Sequence, residues 1–113
     1  MAARKKIVLL GATGSIGETT LRVLRAHPDA FELVGIAGAR KVERLAAIAR
    51  EFAVPEVGIF DELACAEAKK RGLFPEECRL QPGAPGLEAL ARHPEADLVV
   101  VAVVGTEALR PTL

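Results

Sequence analysis

Residues 6–20 read KIVLLGATGSIGETT and join a short aliphatic run to a segment with helical spacing. Glycine recurs at every third position, Gly11, Gly14 and Gly17, where the aliphatic run ends and the helix should begin. In a strand-to-helix turn at the edge of a parallel sheet, the first glycine permits a tight turn. The second lets backbone N–H groups approach a pyrophosphate, and the third lets the helix pack closely on the strand. The stretch therefore predicts a dinucleotide-binding turn.

The glycine spacing is G-x-x-G-x-x-G rather than G-x-G-x-x-G, and such a pattern can also mark a turn that binds nothing. Its position between a strand and a helix favours phosphate binding, because a helix N-terminus offers unpaired N–H groups and a partial positive charge. Thr13 and Ser15 add hydroxyl groups that can donate to phosphate oxygens.

The rest of the chain alternates strand-like and helix-like segments. Aliphatic runs predict strands at 6–10, 31–37, 57–60 and 97–104, with a further short strand at 78–80. Helical spacing predicts helices at 15–26, 42–52, 62–71 and 87–92, and another that begins at Thr106. We expect the apolar stripe of the first helix at Ile16, Thr20, Val23 and Leu24. This alternation predicts an α/β fold, Rossmann-like and doubly wound, with a mainly parallel sheet and helices on both faces.

Length and composition fit one domain with an aliphatic core. The 113 residues are 50% hydrophobic and 27% charged, and their aromatic residues are four Phe. A net charge of zero gives no electrostatic reason to expect nucleic acid or an anionic membrane as a partner. The longest apolar run, 98–105, is far shorter than the roughly 20 residues that span a bilayer. We expect a soluble, cytoplasmic protein.

No catalytic or metal-binding constellation is evident. His27 and His93 each precede a proline at a helix end, where a capping role is expected. Cys65 and Cys78 lack the closely spaced partners of a zinc site, so we interpret them as free thiols. Four further carboxylates lie at helix starts or in a loop, where we expect a favourable interaction with the helix dipole or exposure to solvent: Asp61, Glu62, Glu76 and Glu77. On chemistry alone, the chain should hold a cofactor and lack catalytic groups.

The end of the second strand distinguishes the two nicotinamide dinucleotides. An NAD site usually has an acidic residue there, which accepts from the ribose 2′-OH. Here Glu32 lies at the wrong end of the strand, and the strand is followed by Gly38, Ala39, Arg40 and Lys41. The planar guanidinium of Arg40 suits a 2′-phosphate, which predicts NADP(H) rather than NAD(H). The alternative is that Arg40 and Lys41 are merely a solvated helix start.

Three segments resemble the N-terminal part of the 1-deoxy-D-xylulose 5-phosphate reductoisomerase family. They are KKIVLLGATGSIGETTLRVLRAHPDAFELVGIA (5–37), RKVERL (40–45) and PEADLVVVAVVGTEALRPTL (94–113). The most specific motifs are GATGSIG followed by TL, HPDxF, and the closing VGxxxLRPTL. The resemblance implies an enzyme that rearranges 1-deoxy-D-xylulose 5-phosphate and reduces it with NADPH to 2-C-methyl-D-erythritol 4-phosphate. This reaction belongs to non-mevalonate isoprenoid biosynthesis.

The resemblance also implies a homodimer that needs Mg²⁺ or Mn²⁺, with a catalytic and a C-terminal domain after the NADPH-binding domain. Because the sequence stops within a predicted helix, we expect residues 1–113 to be a fragment, namely the NADPH-binding domain alone. The metal ligands and the residues that bind the substrate phosphate would then lie beyond Leu113. Such a fragment should bind NADPH at best and should not turn over substrate.

The resemblance assigns individual residues to the cofactor. The phosphate-binding loop falls on Thr13, Gly14, Ser15 and Ile16. The segment beside the nicotinamide ribose falls on Ala102, Val103, Val104 and Gly105. The family's Gly-Arg/Lys/Ser-Asn triplet falls on Ala39, Arg40 and Lys41, of which only Arg40 keeps the pattern. Gly38 is expected to supply the backbone freedom lost at Ala39.

Two other functions fit the same glycine loop. A semialdehyde dehydrogenase that reduces an acyl phosphate opens with a similar GATG turn, but HPDxF and LRPTL speak against it. A free-standing module that senses NADP(H) and recruits a partner is the non-enzymatic alternative. A longer gene product would exclude this module.

Overall fold

Strand and helix alternate throughout residues 4–102, which are the residues that this computed structural model describes. The strands are β1 (Lys5–Leu10), β2 (Phe31–Gly38), β3 (Glu56–Ile59), β4 (Arg79–Pro82) and β5 (Leu98–Val101). The helices are α1 (Ser15–Ala26), α2 (Val42–Phe52), α3 (Glu62–Arg71) and α4 (Gly83–Ala91). The first three helices have the predicted bounds.

The five strands form one parallel sheet in the order β4-β3-β2-β1-β5. The chain runs outward from β1 to β4 and then returns to place β5 on the other side of β1. The strand order therefore reverses beside β1, and ligands of doubly wound sheets bind in the crevice at such a switch point. The predicted fold class is confirmed, and the turn after β1 lies at the switch point.

The helices cover both faces of the sheet. Successive side chains of a strand point to opposite faces, and in β1 Ile7 and Leu9 join the larger core cluster, which includes residues of α1, α2 and α3. Val8 joins a smaller cluster with Leu90 of α4. The second face of the sheet is thus covered by α4, which lies in the crossover from β4 to β5.

The buried face of α1 differs from the predicted stripe. Gly17, Leu21 and Leu24 are buried, whereas Ile16 and Val23 are 44% and 49% exposed. Of the predicted stripe only Leu24 is buried, so that prediction was wrong. The reason is that Gly17 faces the preceding turn at close range, and this contact rotates the helix so that positions 17, 21 and 24 face the sheet.

The segment between α3 and β5 is more regular than its composition suggests. β4 ends at Pro82 rather than at residue 80, and α4 begins at Gly83 rather than at residue 87. Pro85 lies in the first turn of α4, where a missing N–H breaks no helical hydrogen bond. β5 spans Leu98–Val101 where the sequence predicted a strand at 97–104. Residues 103 and 104 of that prediction and the helix starting at Thr106 lie outside the described residues.

No helix among the described residues is long and apolar enough to cross a membrane.

Candidate functional site

The glycine turn lies between the carboxyl ends of β2 and β5. The N–H groups of Gly11 and Ala12 both donate to the carbonyl oxygen of Ala37, each at 2.9 Å. On the other side, the N–H of Ala102 donates to the carbonyl oxygen of Leu10 at 2.7 Å. These bonds fix the turn at the place where the strand order reverses.

Backbone conformation and packing require glycine at two of the three positions, Gly11 and Gly17. Gly11 has a φ of 86°, a left-handed conformation that side chains disfavour. A Cβ on Gly17 would clash with the Gly11 carbonyl oxygen and would lie 2.7 Å from that of Ala12. The glycine at each position is therefore explained by the tight turn and by the close packing of α1.

Gly14 is different, because nothing in the described chain excludes a side chain there. Its φ is −85°, and a Cβ would have no neighbour nearer than 3.8 Å, where the carbonyl oxygens of Ala102 and Gly11 lie. The space beside Gly14 is open at the start of α1. A ligand that approaches the backbone would account for the absence of a side chain at this position.

The N-terminus of α1 is not capped by a side chain. Gly14 is the N-cap residue, so the N–H groups of the first turn are left to another partner. The hydroxyls of Thr19 and Thr20 donate back to the carbonyls of the preceding turn. In contrast, no hydrogen bond among the described residues uses the hydroxyl of Thr13 or Ser15. The turn thus presents free donors suited to an anion.

The turn after β2 carries the predicted cations. Ala39, Arg40 and Lys41 are all exposed, and the Arg40 side chain is 81% exposed. Lys41 is the N-cap residue of α2 and makes no side-chain capping hydrogen bond. Because this turn follows the strand next to β1, Arg40 and the glycine turn share one edge of the sheet.

Arg40 is paired with Asp61, a contact that the sequence interpretation missed. Asp61 Oδ2 is 3.2 Å from Arg40 Nε. Asp61 is the N-cap residue of α3, as expected for a helix start, and its Oδ1 accepts from the Ala64 N–H at 3.0 Å. The available signal was positional, since Arg40 and Asp61 each follow the carboxyl end of one of two neighbouring parallel strands.

The turns after β2 and β3 are also joined through their backbones. The Phe60 N–H donates to the Gly38 carbonyl at 2.9 Å, and the Asp61 N–H donates to the Ala39 carbonyl at 3.0 Å. Gly38 ends β2, and the glycines with positive φ in the described chain are Gly11, Gly72 and Gly83. Gly38 therefore does not use the backbone freedom that was expected of it.

Most of the predicted site residues therefore share one edge of the sheet. Those that the structure describes there are Thr13, Gly14, Ser15, Ile16, Gly38, Ala39, Arg40, Lys41 and Ala102. Val103, Val104 and Gly105 lie outside the described residues. A shallow depression of about 570 Å³ beside β4, lined by Glu62, Arg79 and Pro85 among others, includes none of these residues.

The other titratable groups have structural environments. His27 ends α1 as its C-cap residue, and His93 lies 3.3 Å from Glu56 at the start of β3, the opposite end of the strands. Burial raises the pKa of the Cys78 thiol to about 11, with the Glu77 charge adding to the effect. Burial also raises the pKa of the Cys65 thiol. Within residues 4–102, no three His, Cys, Asp or Glu side chains converge as a metal site.

The sequence model of the 1-deoxy-D-xylulose 5-phosphate reductoisomerase family matches residues 7–113. Proteins of that name in Ralstonia pickettii and Nitratidesulfovibrio vulgaris are 38% and 43% identical to this chain over 110 residues. Each match covers 96% of this chain but only 28% and 26% of the relative. The chain thus spans little more than a quarter of the length of these curated relatives.

Solved structures give the same result. The 1-deoxy-D-xylulose 5-phosphate reductoisomerase from Zymomonas mobilis in complex with NADPH superposes with a TM-score of 0.83 at 27% identity. The match covers 95% of this chain and 28% of that one. A DOX-P reductoisomerase in complex with NADPH, fosmidomycin and magnesium superposes with a TM-score of 0.78 at 30% identity, over 93% of this chain and 26% of that one.

Proposed function

Because this chain belongs to the 1-deoxy-D-xylulose 5-phosphate reductoisomerase family, we propose that residues 1–113 are the NADPH-binding domain of such an enzyme. The whole protein would rearrange 1-deoxy-D-xylulose 5-phosphate and reduce it to 2-C-methyl-D-erythritol 4-phosphate, as a cytoplasmic homodimer. NADPH would supply the hydride, and the Mg²⁺ or Mn²⁺ ligands would lie outside this chain.

The open backbone at Gly14 carries the proposal. It combines space for a ligand, uncapped N–H donors and a position at the switch point of a parallel sheet. We assign the pyrophosphate to the first turn of α1, with Thr13 and Ser15 as additional donors. A phosphate placed there would receive the anion-binding contacts that helix N-termini provide.

The opposite ends of the dinucleotide would reach the two flanking strands. Arg40 would hold the 2′-phosphate, flanked by Gly38, Ala39 and Lys41. Ala102, Val103 and Val104 would lie beside the nicotinamide ribose. The exposure of Arg40 supports this assignment, because its guanidinium is accessible to a ligand at the edge that the glycine turn shares.

The assignment is tested by titrating the 113-residue chain with NADPH and NADH by calorimetry, as wild type and as Arg40→Ala. A hydrogen bond to a charged group contributes about 1.5–3 kcal/mol, so the variant should bind NADPH roughly 10- to 100-fold more weakly. NADH binding should not change. Arg22→Ala is the matched control, since Arg22 is exposed on α1 and its loss alters the net charge equally. Equal loss in both variants, or no loss in Arg40→Ala, would contradict the assignment.

A further inference from the structure

We propose that Asp61 competes with the cofactor's 2′-phosphate for Arg40 and thereby sets how strongly the site prefers NADPH over NADH. The inference rests on the proposed function. It makes Asp61 a specificity-determining residue that acts through Arg40 and need not touch the dinucleotide.

The carboxylate of Asp61 is divided between two partners. Oδ1 accepts from the Ala64 N–H at 3.0 Å and caps α3, while Oδ2 faces the Arg40 guanidinium at 3.2 Å. The backbone N–H of Asp61 donates to the Ala39 carbonyl. These bonds hold the carboxylate in place beside the turn that carries Arg40, so the competition is built into the fold.

The Arg40 guanidinium pairs with Asp61 but can move to another partner. Its side chain is 81% exposed, whereas that of Asp61 is 30% exposed and anchored by the cap. An exposed ion pair contributes at most about 1 kcal/mol, which corresponds to roughly a fivefold change in an equilibrium constant. A 2′-phosphate, which carries more charge and more acceptor oxygens than a carboxylate, can therefore take the guanidinium from Asp61.

The two dinucleotides respond differently to this competition. NADPH must draw Arg40 away from Asp61 and so loses part of the affinity that a free Arg40 would give. NADH has no 2′-phosphate, so its binding leaves the Arg40–Asp61 pair intact. Removing the Asp61 charge should therefore strengthen NADPH binding alone.

Asp61→Asn separates the two roles of the side chain, because asparagine caps helices as well as aspartate does. Its amide oxygen can keep the Ala64 contact, and its NH₂ group cannot accept from Arg40. We expect NADPH to bind the variant about threefold more tightly, with NADH unchanged. Asp29→Asn, in the exposed turn after α1, is the control for net charge. If Asp61→Asn unfolds, Asp61→Ser keeps a favourable cap and replaces it.

The double variant Asp61→Asn/Arg40→Ala tests whether Asp61 affects NADPH binding through Arg40. Compared with Arg40→Ala alone, it should show no gain in NADPH affinity. A gain that persists would mean that Asp61 repels the phosphate directly, and weaker NADPH binding in Asp61→Asn would mean that Asp61 positions Arg40. Weaker NADH binding would mean that Asp61 accepts from the ribose hydroxyl. Each of these results overturns the inference.

Failure of the proposed function gives a separate result. If the folded wild-type chain binds neither dinucleotide, the cofactor assignment and this inference fail together. If the wild type prefers NADPH and loses that preference in Arg40→Ala, but Asp61→Asn binds like the wild type, only the inference fails.

Discussion

Replacing Gly17 by alanine should destabilise the fold, whereas the same change at Gly14 should chiefly impair cofactor binding. The new Cβ at residue 17 would clash with the Gly11 carbonyl oxygen and lie 2.7 and 2.8 Å from the Ala12 carbonyl oxygen and carbon. All three atoms are backbone, so α1 itself must move away from the turn. Overpacking of this kind costs about 1–3 kcal/mol, and we expect the upper end because no flexible side chain can yield. The better helix propensity of alanine returns up to about 1 kcal/mol, which leaves a net loss of about 2 kcal/mol.

At Gly14 the nearest atoms to a new Cβ are 3.8 Å away and φ is −85°, so alanine fits without strain. A poorer N-cap residue costs about 0.5–1 kcal/mol. NADPH affinity should nevertheless fall at least about tenfold, because the methyl group occupies the approach to the backbone N–H groups.

Urea unfolding followed by circular dichroism measures the stability of both variants, and calorimetry with NADPH measures binding. The expected outcome is a stability loss of about 2 kcal/mol for Gly17→Ala, against at most about 1 kcal/mol together with a loss of NADPH binding for Gly14→Ala. Equal destabilisation by the two changes would refute it. So would a Gly14→Ala variant that binds NADPH like the wild type.

Two further predictions concern the core. Leu90→Ala should reduce the free energy of unfolding by about 3 kcal/mol, because fully buried Leu90 fills the space over Gly35 and Gly58, and denaturant unfolding of the variant measures this loss. Leu87 on the same helix is only half-buried, so Leu87→Ala should reduce the free energy of unfolding by less. An equal reduction would contradict the packing of Leu90 over the two glycines. The Cys78 thiol should react with iodoacetamide at pH 8 on the order of a hundredfold more slowly in the folded chain than in urea, because its pKa is raised to about 11. The unfolded thiol ionises first, so stability should fall as pH rises from about 8.5 towards 11, and Cys78→Ala should lose part of this pH dependence. Mass spectrometry measures the alkylation, and equal rates in both states would contradict the burial.

The sequence predicted the elements whose limits have a local chemical cause. The bounds of α1, α2 and α3 match because chain breakers or caps stand at their ends, such as Pro28 after α1 and Gly72 after α3. The bounds of β4 and α4 did not match, because Pro85 and Gly86 suggested a loop. Both residues fit a helix start, since Pro85 lies in the first turn and a Cβ at Gly86 would lie only 2.5 Å from the Gln81 carbonyl oxygen.

The buried face of α1 was missed for a related reason. The close approach of Gly17 to the turn decides how the helix is rotated, and a hydrophobic pattern does not register a glycine contact. Ile16 and Val23 were therefore placed inside although both are exposed.

The candidate site also has parts that the sequence could predict and a part that it could not. The order of the elements predicted that the glycine turn and the cations Arg40 and Lys41 share one edge of the sheet, because the carboxyl ends of parallel strands lie at the same edge. The same order places Arg40 and Asp61 near each other, but their direct contact could not be predicted, since it depends on the path of two turns and on the rotamers of two side chains. Asp61 was correctly assigned to a helix start, but its second oxygen was free to serve another partner.

The binding of the dinucleotide to the glycine turn is tested most directly by an amide chemical-shift titration of the 113-residue chain with NADPH and with NADH. We predict that NADPH shifts the amide signals of Gly14, Ser15 and Ile16 together with that of Arg40, and that NADH shifts those of Gly14, Ser15 and Ile16 but not that of Arg40. Shifts confined to other parts of the sheet, or no shifts at saturating NADPH, would contradict the claim that this turn binds the dinucleotide.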